Sequence, residues 1–477
     1  MEAHDLFISC RKGDLTRVQF LVDEKEVEVN IRDKWDSTPL YYACLCGHTA
    51  VAEFLLAHGA KCEMNTFDGE RCLYGALNDK IRNLLRDYKA VTASSMRRGL
   101  YSEFLRNMLE RGLYSDITFI IHGVSFSAHK CILASRSEYF ADLFGTRWKD
   151  KRVVSLSHRM LLPNAFESVL QYLYTARLES LIEDLEDVLR LAKHCHLEKL
   201  QHDLEAKMKA VLHFKSTKPG VNVTVLSLEP KANDFTLNDD LGSLLLQSLP
   251  PAFCCQDAAE LPFLPERTEN FADIIFQVEN HKFECHKSFF LLRSDYFKAL
   301  VNDHFGECME DETTSLPIIK IQDFSPSTFV QIISYVYQDS CELTEKNIFD
   351  ILYASDLYLL PGLKKQCSNL LAQYIDLTNI VQMLRTAKLF SLSRLEDQCA
   401  EFIAENLDNV LADPNFADYV NEDANEVKDR QETDTISIID EVRYYVSSFV
   451  QSYSEVDEAN RKMLLIDWFL EEQGLDA

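Results

Sequence analysis

The chain has 477 residues, 47 % of them hydrophobic, and carries 76 acidic against 49 basic side chains, a formal net charge of −27. That length leaves room for three or four domains with cores of their own, and that charge excludes a binder of the nucleic-acid backbone, which needs a basic face. The N-terminal Met1-Glu2-Ala3-His4-Asp5 is polar and no run of eighteen apolar residues occurs, so neither a secretory leader nor a membrane span is expected. The chain reads as cytoplasmic, with the nucleus also open to it, and without nucleic-acid or membrane partners. Its 14 cysteines are then small apolar core residues in a reducing compartment, not disulfides.

The first predicted elements are helical pairs. In Asp36-Ser37-Thr38-Pro39-Leu40-Tyr41-Tyr42-Ala43 and on to Gly47-His48, Thr38 is placed to cap a helix whose first residue is Pro39, where a missing N–H costs nothing. Gly47 and Gly59 suit the left-handed positions that end this helix and the next, Val51 to Ala57. About 34 residues earlier Leu6-Phe7, Cys10 and Gly13-Asp14 repeat part of the pattern, and about 33 residues later Asp68-Gly69 to Gly75-Ala76 starts it again. The pattern resembles ankyrin repeats over residues 1–95. So short an array barely buries a continuous core, and it is expected to lean on its neighbour. Its fingers, Asp33-Lys34-Trp35 and Thr66-Phe67-Asp68, offer Trp35 and Phe67 as contacts to a protein client.

An amphipathic helix follows from Arg98 to Arg111, with Tyr101, Phe104, Leu105, Met108 and Leu109 on its apolar side. After it come Ser115-Asp116-Ile117-Thr118-Phe119, Phe126-Ser127-Ala128-His129-Lys130 and Ser137-Glu138-Tyr139-Phe140, and each returns 157 residues on, at Ala272-Asp273-Ile274-Ile275-Phe276, Phe283-Glu284-Cys285-His286-Lys287 and Ser294-Asp295-Tyr296-Phe297. A duplicated fold is implied. Ile117, Phe119 and Ile121 alternate along a strand, His122-Gly123 turns it, and apolar residues at helical spacing follow. A further helix, Phe166 to Tyr174, returns as Phe329 to Tyr337. The motif resembles the BTB/POZ domain. That resemblance implies a dimer interface built from Phe104, Leu105, Met108 and Leu109 with the charged pair Asp116 and Lys130, serving either a homodimer through the first copy or pairing of the two copies within one chain.

Residues 213–268 contain Pro219, Pro230, Pro250-Pro251, Pro262 and Pro265, a linker by its helix breakers. It is partly ordered, since Leu244, Leu245, Leu246 and Phe253 are too apolar for disorder, and Val221 to Leu226 suits a strand. The assignment is therefore α+β multidomain: ankyrin repeats 1–95, a first BTB/POZ domain 98–212, the linker, a second BTB/POZ domain 269–373, and a helical region 374–477. That last region resembles the BACK type through Thr386 to Leu395. Residues 400–477 hold 20 acidic against 5 basic side chains, a net of −15, read as a solvated surface or a docking face for a basic partner.

The chain has no Gly-Lys-Ser/Thr loop, no Gly-x-Ser-x-Gly and no His-Glu-x-x-His, so no enzyme is expected. His194-Cys195-His196 and Cys44-Leu45-Cys46-Gly47-His48 read as structural, and neither metal nor cofactor is expected. The order of domains is that of the ankyrin repeat and BTB/POZ domain-containing proteins. The resemblance implies a substrate adaptor for a cullin-3 ubiquitin ligase, or else a scaffold in growth signalling or translation control. BTB proteins that bind cullin-3 carry a hydrophobic-x-Glu triplet after the Ser-x-Tyr-Phe helix. Phe305-Gly306-Glu307 matches it in the second copy, while Trp148-Lys149-Asp150 in the first departs at Asp150.

Overall fold

The computed structural model describes residues 2–25, 27–62, 66–87, 100–218, 220, 223–230, 234, 236–253, 271–302, 309–310, 316–428, 436–448 and 453–475. The chain is an α+β multidomain protein whose residues divide into two bodies, 1–340 and 341–477.

Three helical pairs open the first body: α1 (Glu2–Lys12) with α2 (Leu15–Gln19), α3 (Pro39–Cys46) with α4 (Thr49–Ala57), and α5 (Phe67–Gly75) with α6 (Asp79–Asp87). Thr38 caps α3, its Oγ1 accepting from the Tyr41 N–H at 3.3 Å, and Thr66 caps α5 in the same way from Gly69 at 3.1 Å. Gly47 closes α3 at φ 82°, a left-handed conformation that suits glycine. Successive fingers are tied by Asn30, which donates to the Gly59 carbonyl at 2.9 Å and accepts from the Lys61 N–H at 2.7 Å. Leu6, Cys10, Leu21, Leu40, Ala43, Cys44 and Leu55 fill the core between the pairs.

The short array is held against the first duplicated copy by charges as much as by apolar contact. That copy runs α7 (Leu100–Arg111), β1 (Ile117–Ile121), β2 (Val124–Ala128), α8 (Lys130–Arg136), α9 (Glu138–Gly145), β3 (Val153–Leu156), α10 (Pro163–Thr175), β4 (Leu178–Leu181), α11 (Leu185–His194) and α12 (Glu198–Thr217). Arg32 grips Asp68 with two bonds of 3.1 and 2.6 Å and also reaches Asp36, which pairs with Lys207 of α12. Beside them Glu229 receives Lys61 at 3.0 Å and Arg177 at 2.6 Å, and Arg177 continues to Glu28 at 3.0 Å. The guanidinium of Arg32 and the carboxylates of Asp68 and Glu229 are buried, so each ion depends on the others for the solvation it has lost.

Glu229 follows β5 (Val225–Leu228), a strand inside the stretch the prolines mark as a linker. β5 pairs antiparallel with β4, Leu178 opposite Leu228, and bridges Thr66 of the array. The described part of that stretch therefore joins the array to the first copy. It then forms α13 (Thr236–Ser248), whose buried Leu237, Leu241 and Leu244 follow helical spacing.

The second copy adds β6 (Ile274–Val278), β7 (His281–Cys285), α14 (Lys287–Arg293), α15 (Asp295–Asn302), β8 (Met309–Glu310), β9 (Pro317–Ile321) and α16 (Pro326–Gln338). The sheets are ordered β2-β1-β3 and β7-β6-β9-β8. Helices α10 and α16 end on Ala176 (φ 55°) and Asp339 (φ 58°), both in the left-handed conformation.

The second body is helical: α17 (Ile348–Leu357), α18 (Pro361–Leu371), α19 (Ile380–Leu389), α20 (Ser393–Glu405), α21 (Leu407–Val410), α22 (Pro414–Lys428), α23 (Ser437–Ser448) and α24 (Tyr453–Glu472). Its core includes Leu352, Leu384, Leu395, Ile403, Phe416 and Ile466, and Lys388 meets Asp423 at 2.9 Å. No helix among the described residues is long and apolar enough to cross a membrane.

Burial alone would raise the Asp68 carboxyl, but Arg32, with Lys207 and Arg71, outweighs it and holds the group well below the usual carboxylate range. Because the folded-state value is depressed, the stability it confers is present above about pH 4 and lost as the pH falls below it. Asp68→Asn leaves the buried Arg32 with only the longer contact to Asp36 and is expected to cost about 3 kcal/mol at neutral pH. Urea unfolding from pH 7 to pH 3 should show that loss together with a shallower acid limb in the variant.

Candidate functional site

The two copies face each other through two exchanged helices. Helix α7 packs on α10 of its own copy and on α14 of the other; α13 packs on α16 and β7 of the second copy and on α8 of the first. Phe104 of α7 meets Phe289 of α14 at 5.9 Å between ring centroids, and the Tyr101 hydroxyl donates to the Tyr337 carbonyl. The Arg293 guanidinium sits 4.9 Å from the ring of Tyr101, 5.5 Å from Phe104 and 4.2 Å from Tyr335, so cation–π attraction adds to apolar burial. On the mirrored side Arg136 of α8 pairs with Asp240 of α13. Asn238 donates to the Gln338 carbonyl at 3.0 Å and Gln338 donates back to the Asn238 carbonyl at 3.2 Å. Gly242 permits this approach, since a Cβ there would stand 2.3 Å from the Gln338 amide nitrogen.

Each copy orients its first helix with the same buried pair. The Tyr174 hydroxyl accepts from the His129 N–H at 2.8 Å and meets the His129 Nδ1 at 2.8 Å; Tyr337 does the same for His286 at 3.1 and 2.8 Å. Burial pushes the His129 imidazole down to about 4, against the pull of its bond to the Leu113 carbonyl. The ring is neutral at pH 7, which suits a structural role and not acid–base chemistry. The signal for this pair lay in the duplication, because Tyr174 and Tyr337 recur as His129 and His286 do.

The residues expected at a dimer interface take several places. Phe104 touches the second copy, Leu105 and Met108 are fully buried, and Leu109 lines a groove with Phe126 and Asn164 of its own copy. Asp116 and Lys130 do not meet head to head. The Asp116 carboxylate accepts from the Lys130 backbone N–H at 2.8 Å, while the ammonium donates to the Lys149 carbonyl at 3.0 Å and lies 5.9 Å from the rings of Phe144 and of Phe271 in the second copy. Asp273 caps Lys287 in the same way at 2.6 Å. The reading of α13 as linker missed half of the exchange, although its leucines at 237, 241 and 244 carried the helical period.

Two expected contact residues are core. Phe67 is 6 % exposed and stands edge-on to Phe214 of α12 at 5.7 Å, beneath Lys207; it binds the array to the first copy and is closed to a client. Trp148 is 5 % exposed among Phe119, Phe140 and Phe144, so the first copy's triplet cannot present its apolar side chain, although Asp150 is exposed. Trp35 remains 59 % exposed with Lys34 4.2 Å above its ring. Phe305, Gly306 and Glu307 lie outside the described residues. Beside Trp148 a cavity of about 720 Å³ opens, lined by Tyr139, Leu156, Met160, Leu161 and Leu191 among others. Cys195 borders it, its thiol pushed up to about 12 by burial, and no cluster suited to a metal ion occurs among the described residues.

Comparison with known proteins agrees with this layout. The BTB/POZ domain model matches residues 105–212 and 264–375, and the ankyrin model matches three repeats over 6–92. BTB/POZ domain-containing protein 3 of Schizosaccharomyces pombe is 30 % identical over 99 % of this chain and 90 % of its own length. An ankyrin repeat-containing protein of Saccharomyces cerevisiae is 28 % identical over 93 % of this chain and 88 % of its own. Kelch-like protein 40a of Danio rerio is 30 % identical over 23 % of this chain and 17 % of its own.

The pairing surface stores a pH dependence. Burial pushes the Asp273 carboxyl up to about 6, and Asp116 adds to the rise while the Lys287 N–H and ammonium oppose it. With the folded-state value above the unfolded one, the neutral acid's contribution is full below about pH 4 and lost as the pH rises through 6. Asp273→Asn is expected to raise stability by about 1–2 kcal/mol at pH 7.5 and to leave it unchanged near pH 4. Thermal melting across that range, with the wild type alongside, checks both parts.

Proposed function

Because the chain belongs to the ankyrin repeat and BTB/POZ domain-containing proteins, we propose that it is a non-catalytic adaptor that recruits a protein client to a cullin-3 ubiquitin ligase. Ankyrin and BTB/POZ domains are interaction modules, and no bond chemistry is asked of this chain. The observation that carries the reading is the exchange of α7 and α13, which fills the faces that copies of a BTB domain use to pair. Both copies are thereby left with outward surfaces for other proteins, within one chain and in a fixed relation. The second copy is assigned to cullin-3 through Phe305 and Glu307, since the matching triplet of the first copy is spent on Trp148 as core. The ankyrin side, with Trp35 exposed at a finger, is assigned to the client. Holding both raises the client's concentration at the ligase without any new contact between them.

Titration of the cullin-3 N-terminal domain into the full-length chain tests this by calorimetry. One cullin per chain is expected, with affinity reduced at least about tenfold, roughly 1.4 kcal/mol, in a folded Phe305→Ala/Glu307→Ala variant. No binding by the wild type would leave the scaffold without a ligase as the better reading.

A further inference from the structure

The two copies differ at one edge of their sheets. In both, the central strand pairs in parallel with the strand that follows the second helix: Thr118 faces Val153, and Ile275 faces Ile318. The separation is 35 residues in the first copy and 43 in the second. The longer connection carries β8, which lies antiparallel on the outer edge of β9, Met309 opposite Ile318 and Glu310 opposite Pro317. The first copy has no such strand among the described residues, and β3 ends its sheet.

Among the described residues no strand pairs with that edge. The Thr118 N–H donates to the Arg152 carbonyl at 2.8 Å, which fixes the phase of the parallel ladder. Val153 and Ser155 therefore turn their backbone N–H and C=O groups away from β1. Both residues are exposed, Val153 by 54 %. An outer row of backbone groups is a template for another strand unless something blocks it.

The surroundings state what kind of strand fits. Lys151 and Arg152 flank the edge and are exposed. The 720 Å³ cavity adjoining it shares Leu156 with β3, and its lining includes Arg147, Trp148, His158, Arg190, Lys193 and His194 and no carboxylate, with Arg190 and Lys193 partly offset by Asp187 at 2.5 Å and Glu205 at 3.6 Å. In a chain of net charge −27 such a patch repels basic segments and attracts acidic ones. The covering strand of the second copy is Met309–Glu310, and the sequence on either side of it, Glu307-Cys308 and Asp311-Glu312, is acidic. We propose that the outer edge of β3 is a docking site for an acidic, extended segment of a protein partner, which joins the first copy's sheet as an antiparallel strand and seats one apolar side chain in the adjoining cavity. Main-chain bonds would supply affinity and the cavity and basic rim would supply selection. The assignment does not rest on cullin binding.

A fluorescein-labelled synthetic peptide of residues 306–315, with Cys308→Ser, serves as probe for the full-length chain in anisotropy titrations. Binding is expected to weaken at least tenfold in a Lys151→Glu/Arg152→Glu variant, and equally for a peptide whose acids are replaced by glutamine. Val153→Pro removes an outward N–H and leaves the β1 ladder intact, so the same loss is expected there. Saturating peptide should also slow hydrogen exchange at the Val153 and Ser155 amides. If Val153→Pro fails to fold, the charge-reversed variant, altered only at exposed side chains, carries the test. Absence of binding to the wild type at about 1 mM peptide, equal binding to the charge-reversed variant, or unchanged exchange at the two amides would each overturn the proposal.

Discussion

The exchange of two helices governs the arrangement of residues 1–340. Each of α7 and α13 packs on its own copy and on the opposite copy, so each contributes to both. The contact is not symmetric in detail. Around α7 the cation Arg293 is stacked between Tyr101, Phe104 and Tyr335. Around α13 the corresponding Arg136 is paired with Asp240 and lies 5.6 Å from Tyr172. Arg293 also pairs with Asp339 of its own copy, so both sides combine an ion pair with aromatic contact; the difference is that Arg136 finds its carboxylate on α13, across the pairing surface.

The ankyrin array depends on a second constraint, the charge cluster at its junction with the first copy. Lys61 is shared between Glu179 of β4 and Glu229, at 2.7 and 3.0 Å, and Arg177 links Glu229 to Glu28 of the array. Buried ions of this kind add little net stability, but a displaced array would leave several of them unpaired, which is expensive. The cluster therefore specifies the orientation of the array more than it strengthens the contact. Phe67 on Phe214 supplies the apolar part, and Trp35, one finger earlier, is left to solvent.

The copies also diverge outside the exchanged helices. The His–Tyr pair, the capping aspartates and the arginines at 136 and 293 are retained in both. The connection after the second helix is not: in one copy it is short and places Trp148 in the core, and in the other it is longer and covers the sheet edge with β8. Two copies that share a pairing mode are in this way free to present different outer faces.

Local features were legible in the residues because each is decided within a few positions. Thr38-Pro39 and Thr66 cap helices, Ile117, Phe119 and Ile121 alternate into the core, and His122-Gly123 turns at positive φ on both residues. Internal repetition at a constant offset identified the duplicated fold without any structure. The sequence by itself determined the ankyrin array, the two copies, their family and the helical C-terminal region. Only the tertiary structure decided that α13 completes the exchange, that Phe67 and Trp148 are core, and that one edge strand is covered and the other, among the described residues, is not. Those outcomes depend on contacts between residues far apart in the chain, such as Phe67 with Phe214 and Asn238 with Gln338, and an exposed and a buried aromatic look alike until the surface that covers one of them is known.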